Sequence, residues 1–337
     1  FPFNTTDYAP TGTELVTNGD FSATGGELIT NGDFSATGAE LITNGDFATS
    51  GTPTTTSWSL GWAQTGGSED GSNITGGELV LTLPDGEDSN YNRVYATNGS
   101  SAITGVVEVG KSYKLTYTVT AVTGSPTFKY INGGAYADAP TSLETHVIYY
   151  VCTVTDHFGL RNSGNDSSIT LDNVSIKELG EGWTINDGWS IGEDKAIWDA
   201  DSAIQNENIN QGISFGVDKS YKVTFTIGDV VGSPVRVLMR ATGVDNQDIT
   251  DSWESLTAGT YTRYFTSLYA NAQFDISGRY DAGDSFSITS ITVEELGEGW
   301  TFYAVDATNT ISIESGGARV ISTGVDISLR QTILEVG

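Results

Sequence analysis

Two segments of this chain spell patterns that elsewhere do chemistry. Gly105-Val-Val-Glu-Val-Gly110-Lys111-Ser112 matches the P-loop consensus, in which a glycine-rich turn holds phosphate on inward-pointing amides at a helix N-terminus. Here VVEV has strand character and Ser112 begins the alternating run YKLTYTVT, so no helix follows to receive a phosphate. An internal copy of the region puts Ile213 and Asp218 where Gly105 and Gly110 stand, so the fold does not need a phosphate loop there. Gly212-Ile-Ser214-Phe-Gly216 matches the nucleophile elbow, a strand-to-helix turn that offers a serine to a histidine base. It lies between strands, and both histidines, His146 and His157, precede Ser214 instead of following serine and acid. Two histidines in 337 residues leave little for general-base or transition-metal work, and among 43 carboxylates chance acidic pairs are inevitable. No catalytic or cofactor-binding residue is assigned, and a non-enzymatic protein is expected.

The aromatic residues carry the alternative chemistry. Trp62, Trp183 and Trp300 each follow a glycine, a placement that suits core packing. Sugar rings stack on exposed Trp or Tyr because the ring face is apolar and its hydroxyls need only a few polar neighbours. Tyr91, Tyr130, Tyr136 and Trp253 are the candidates for such a glycan-binding role.

Charge limits the partners. A net charge of −28 argues against nucleic acid, whose phosphates need clustered Lys and Arg, and fits solubility and mutual repulsion of molecules. The single cysteine, Cys152, excludes an intrachain disulfide and sits in the apolar run VIYYVCTV, as a buried thiol would. No stretch is apolar for the ~18 residues of a membrane span, and FPFNTTDYAP has neither the basic region nor the apolar core of a secretion signal. No membrane insertion is expected.

The elements that must position these residues are strands. Tyr113, Leu115, Tyr117 and Val119 alternate with Lys114, Thr116 and Thr118, and the same period of two recurs between clusters of Gly, Asn, Asp and Ser. Short strands with 41 glycines predict an all-β chain of tandem antiparallel jelly-roll sandwiches. KSYKLTYTVTAVTGSP, from Lys111 to Pro126, returns as KSYKVTFTIGDVVGSP, from Lys219 to Pro234, with ten identities, and ELGEGWT occurs at Glu178 and again at Glu295. The offsets of 108 and 117 residues make one unit a whole domain. The reading gives an arm at 1–39, a first sandwich at 40–179, a second at 180–297 and a partial third at 298–337. The last ends on Val336-Gly337, where the first sandwich has Val109-Gly110 ahead of its KSY strand, so either the natural protein continues or something else completes the unit.

The arm holds a shorter repeat: ELVTNGDFSATGG at 14–26, ELITNGDFSATGA at 27–39 and ELITNGDF at 40–47. Only the last adjoins a domain, and each has too little apolar surface to fold alone. The two others are either spare strands left by replication slippage or donors for the second and third sandwiches, which lack an NGDF strand of their own. The donor reading predicts exchange of strands between chains, into a fibre or symmetric assembly.

NGDF, then Gly-Trp, then GKSYKLTYTVT, then ITLDNVSIKEL resembles the carbohydrate-binding modules of the family 4/9 type, jelly-roll sandwiches attached to polysaccharide hydrolases. The resemblance spans 40–179 well and 180–297 in part. It implies a structural calcium (Ca2+) that ties first strand to last, with the carbonyls of Asp46 and Gly77 and the carboxylate of Asp172 as oxygen ligands. The second sandwich has Thr289 in place of Asp172, so no calcium is implied there. An aromatic residue that helps bind glucan in some members is replaced here by Thr65. The NGDFS opening and DNVSIKEL ending also look like tandem domains of bacteriophage virion appendages. That likeness implies a structural and adhesive protein on a virion surface or outside a cell, partnered by its own copies, other virion proteins or a host glycan. The alternative is the glycan-binding region of a secreted bacterial protein or adhesin.

Overall fold

The structure, a computed structural model, describes residues 18, 20, 24–64, 71–84, 91–97, 105–132, 135–153, 157–199, 207–232, 235–250, 253–279, 285–297, 300–303, 310–314, 317–326 and 328–331. Among these the secondary structure is β apart from one short 3-10 turn, Trp58–Leu60, and no helix is long and apolar enough to cross a membrane. The all-β jelly-roll architecture expected from the alternating runs is what the chain adopts.

Each of the first two units is two antiparallel sheets face to face. In the first, Thr145–Val151, Ser112–Thr123, Ser167–Leu179, Glu78–Leu83 and Ser72–Thr75 lie side by side in that order, opposite a second sheet ordered Trp62–Gln64, Asn92–Ala96, Phe158–Asn162, Phe128–Asn132, Ala135–Asp138. The second unit repeats the plan, with Gly259–Thr266, Ser220–Val231, Ser285–Leu296, Lys195–Asp199 and Trp189–Gly192 in one sheet. Opposite it run Thr184–Ile185, Asn208–Gly212, Gln273–Arg279, Val235–Thr242 and Gln247–Asp248. A strand with one face on the core must alternate, and it does: Tyr113, Leu115 and Tyr117 are at most 1% exposed, as are Tyr221, Val223 and Phe225 at the matching places. Among the described residues the third unit shows two antiparallel pairs, Thr301–Tyr303 with Ser328–Arg330 and, between them in sequence, Thr310–Glu314 with Gly317–Ile321.

The repeated KSY strand is anchored the same way in both sandwiches. The Tyr113 hydroxyl accepts the Glu108 N–H and the Tyr221 hydroxyl the Gly216 N–H, both at 2.7 Å. Lys111 pairs with Glu178 at 2.9 Å and Lys219 with Glu295 at 2.8 Å. The P-loop look-alike therefore ends in a strand whose lysine is tied to a carboxylate, with Val106 and Val107 in the core, and it forms no phosphate cradle.

The arm follows the donor reading in its second copy and departs from it in one respect. Its second copy is not spare, and its pairing is made within the chain. Thr24–Glu27 pairs with Ser285–Leu296, the last strand of the second sandwich, while Thr37–Glu40 pairs with Ser167–Leu179, the last strand of the first. Ile29 and Phe34 are buried in the second core, Ile42 and Phe47 in the first. The first copy reaches the third unit, where the Trp300 Nε1–H donates to the Asn18 carbonyl at 3.1 Å. The ELITNGDF segments of copies three and two thus serve sandwiches one and two, and among the described residues Asn18 of copy one meets the third unit, so the arm runs back along the array against the order of the domains. The physical reason is reach: thirteen residues extend up to ~45 Å, enough to pass one sandwich of this size.

The NGDF residue types follow from this seat. Asn31 and Asn44 turn the chain at positive φ, 52° and 57°. The Trp183 Nε1–H donates to the Asn31 carbonyl at 3.0 Å and the Trp62 Nε1–H to that of Asn44 at 3.1 Å, which explains the tryptophan after each Gly. A Cβ at Gly32 would stand 2.1 Å from the Ile291 carbonyl oxygen, and one at Gly45 2.0 Å from that of Val174, so only glycine fits. The leading glutamate caps the last strand: Glu27 accepts the Val293 N–H at 2.8 Å and Glu40 the Ile176 N–H at 2.9 Å.

Candidate functional site

The outer face of the sheet Asn92–Ala96, Phe158–Asn162, Phe128–Asn132 carries a concentration of positive charge unusual for so acidic a chain. Strand register sets Arg161 directly opposite Arg93 on one side and Lys129 on the other. Inward neighbours Val94, Phe158, Leu160 and Phe128 are buried, so alternation forces the three cations outward. Like charges opposite one another weaken a sheet. The cost is lowered by aromatic rings: the Arg161 guanidinium lies 4.2 Å from the centre of the Tyr91 ring and 4.5 Å from that of Tyr136, and Arg93 lies 4.9 Å from Tyr91 and 5.3 Å from Tyr95. The Arg93 Nη1 donates to the Tyr136 hydroxyl at 3.0 Å. Lys129 pairs with Asp138 across the edge. The Arg161 Nε–H is buried and has no acceptor among the described residues. Gly159 makes the floor between these groups, since a Cβ there would meet Tyr95 and Ile131 at 2.9 and 3.0 Å.

Of the four aromatic candidates, two come together here. Tyr91 and Tyr136 flank Arg161, with Tyr136 41% exposed. Tyr130 is corrected: it faces the core against Tyr150 at 5.3 Å and burial raises its hydroxyl pKa, because its strand position puts it in phase with Phe128. Trp253 is half-buried in the second sandwich, with the Arg279 guanidinium 6.0 Å from its ring. The arginines were missed by the sequence reading, although Arg93 and Arg161 each stand out of phase with the buried residues of their strands, Val94 in one and Phe158 and Leu160 in the other.

The corresponding sheet of the second sandwich has a different surface. Arg279 lies opposite Arg236, but Arg240 lies opposite Asp275 and is paired with Asp248 at 2.9 Å. Asp275 accepts from Asn208 Nδ2 at 3.1 Å and Gln273 Nε2 at 2.6 Å. Amides and carboxylates answer much of the charge there.

The three residues that the resemblance implies as calcium ligands are placed by the contacts of their chain neighbours. Val174 donates to the Gly45 carbonyl at 2.8 Å beside Asp46, and Leu171 lies opposite Leu79, two residues from Gly77. A cleft of about 380 Å³ opens beside Asp46, lined also by Glu40, Asn44, Asn173 and Ser175, and neither Gly77 nor Asp172 lines it. The Asp172 carboxylate accepts from Asn173 N at 2.7 Å and Nδ2 at 2.8 Å, which leaves each oxygen a lone pair. A carboxylate and backbone carbonyls are the ligand types that a hard cation takes. Among the described residues no three or more His, Cys, Asp or Glu side chains gather into a metal-binding group. The histidines are used structurally: His146 Nε2 lies 2.8 Å from the Ser142 carbonyl with its ring against Tyr117, and the His157 ring packs edge-on to Tyr95.

No protein-family model and no curated protein matches this sequence. Among solved structures, the N-terminal tandem of two CBM22 domains from Paenibacillus barcinonensis Xyn10C is similar at 11% identity and TM-score 0.31, over 77% of this chain and 98% of that one. Allantoicase from Saccharomyces cerevisiae is similar at 9% and 0.28, over 61% and 78% of the two chains. Truncated AlyQ with CBM32 and alginate lyase domains is similar at 9% and 0.21, over 69% and 96%. At these scores none of the likenesses bears on ligand or activity.

Proposed function

We propose that this chain is a non-enzymatic adhesive array whose first sandwich binds a glycan carrying carboxylate or sulfate groups. The observation behind the reading is the Arg161 guanidinium, clamped between Tyr91 and Tyr136 and opposite two further cations, with no acceptor for its Nε–H among the described residues. The Tyr faces nominated for sugar stacking are spent on the guanidinium, so what the face offers a ligand is its N–H edges. A planar fork of donors suits an oxyanion, and each charge-assisted hydrogen bond contributes about 1.5–3 kcal/mol. The appendage setting, on a virion surface or otherwise extracellular, rests on the resemblance of the NGDFS and DNVSIKEL frames, with a secreted glycan-active protein as the alternative. Calcium at Asp46, Gly77 and Asp172 belongs to the same proposal as a staple of the first sandwich, not as part of the binding face.

Isothermal titration of the chain with a polyuronate, a sulfated polysaccharide and a neutral glucan tests the reading. Binding of an acidic polymer that weakens with salt and falls at least tenfold in Arg161→Ala is expected. Equal binding of the neutral glucan, or an unchanged Arg161→Ala, would overturn it.

A further inference from the structure

The seat of the arm recurs with the same contacts in two sandwiches and with its tryptophan latch in the third. Trp183 takes the carbonyl of a residue 152 positions away, and Trp300 that of one 282 positions away. Copy three is carried to its sandwich by chain continuity. Copy two is held in the second by contacts alone: the Asn31 latch, the pair of hydrogen bonds between Thr30 and the Gln211 amide at 2.7 and 2.8 Å, and Phe34 packed 5.3 Å from Trp183. Copies two and three are identical over ELITNGDF, so a slot has no means of telling one chain's segment from another's.

We propose that the first-strand slot of each sandwich is a recognition site for the segment Glu-Leu-(Ile/Val)-Thr-Asn-Gly-Asp-Phe, and that its partner in trans is the arm of a second copy of this chain. The slot is bounded by the last strand, which supplies the edge for Thr24–Glu27, and by the Gly-Trp turn. Its specificity lies in three features that a generic edge strand lacks: a glycine at closest approach to Ile291, an asparagine at positive φ, and a phenylalanine pushed into the core. In a dilute single chain the tether raises the effective concentration of its own arm, so pairing is internal. At high concentration during folding, the same contacts form between copies.

The test inserts a protease site between Ala36 and Thr37 and cuts the folded chain, which frees copies one and two from the rest. The fragment is expected to co-elute with the body and to be displaced by excess fluorescent peptide of residues 27–36. The same peptide with Phe34→Ala is expected to bind at least a hundredfold more weakly. A fragment that leaves at once, with no peptide binding and native circular dichroism, would overturn the recognition site. So would loss of native signal on cutting that the peptide does not restore. For the trans partner, two differently labelled lots of uncut chain are unfolded together and refolded at high concentration. Mixed dimers that vanish on deletion of residues 1–36 are expected, and monomers at every concentration would overturn that half.

Discussion

The two complete sandwiches share a frame and differ on one face. Tyr113 and Tyr221, Lys111 and Lys219, Trp62 and Trp183 hold equivalent bonds to within about 0.1 Å. The outward sheets, by contrast, pair Arg161 with Arg93 in one and Arg240 with Asp275 in the other. The inward residues answer to packing, which is the same problem twice. The outward residues answer to solvent or a ligand, and there the first sandwich sets three cations in a row, whereas the second sets the pair Arg236 and Arg279 together and answers Arg240 with carboxylates. The lesson is that the frame reports how the array is built and the face reports what it meets.

The largest effect expected from breaking the frame is selective. Phe34→Ala removes a side chain with no exposed surface from the second core and should cost about 3–5 kcal/mol in that unit's unfolding transition, with the first transition unmoved. Phe47→Ala should do the reverse. Two resolved calorimetric transitions check this, and equal shifts of both would mean that the arm does not belong to separate cores.

A charge reversal sharpens the comparison of faces. Arg161→Glu should lower affinity for an acidic polysaccharide at least tenfold, while Arg240→Glu in the second sandwich should leave it within a factor of two. Titration of both variants separates a local site from general electrostatic attraction, since both change the net charge equally.

These outcomes also mark what the sequence could reveal. Alternation in YKLTYTVT fixed which side chains of the KSY strand face inward, and the repeat announced two domains. The missing NGDF strands were visible as an absence at Glu181-Gly182-Trp183, but the reverse threading was not, because a thirteen-residue pitch specifies reach and not direction. Tyr130 was misplaced because nothing in composition separates a tyrosine that fills a core from one that lines a face. The arginine row depends on the register between strands distant in sequence, which no local pattern encodes.

Alkali should separate the sandwiches more gently. Burial pushes the Tyr113 hydroxyl up to about 12 and raises Tyr117, Tyr130 and Tyr150 as well, whereas the second unit has Phe225 and Phe265 at the places of Tyr117 and Tyr150 and only Tyr221 raised among these. A raised folded pKa gives stability that is whole below about 10, the unfolded value, and is lost as pH rises through about 12. The first transition should therefore fall before the second over that window. Tyr150→Phe, which removes a buried hydroxyl with no partner among the described residues, should narrow the gap at no loss of stability at pH 7. Smallest of all, Asp172→Ala should lower the first melting temperature by a few degrees in calcium buffer and not in chelator; equal shifts in both would remove calcium from the account.

The reverse threading of the arm is the central claim, and a designed cross-link tests it directly. A Cβ at Gly25 would lie 3.3 Å from that of Glu295, and one at Gly38 3.6 Å from that of Glu178, distances close to the range a disulfide spans. Gly25→Cys with Glu295→Cys, and separately Gly38→Cys with Glu178→Cys, should oxidise nearly completely in dilute folded protein to a cross-linked monomer, leaving the buried Cys152 untouched. The crossed pair, Gly25→Cys with Glu178→Cys, should not close. Free thiols in the first two variants, or ready closure of the crossed pair, would contradict the assignment to its sandwich of the ELITNGDF segment that follows each cysteine, at 27–34 and 40–47.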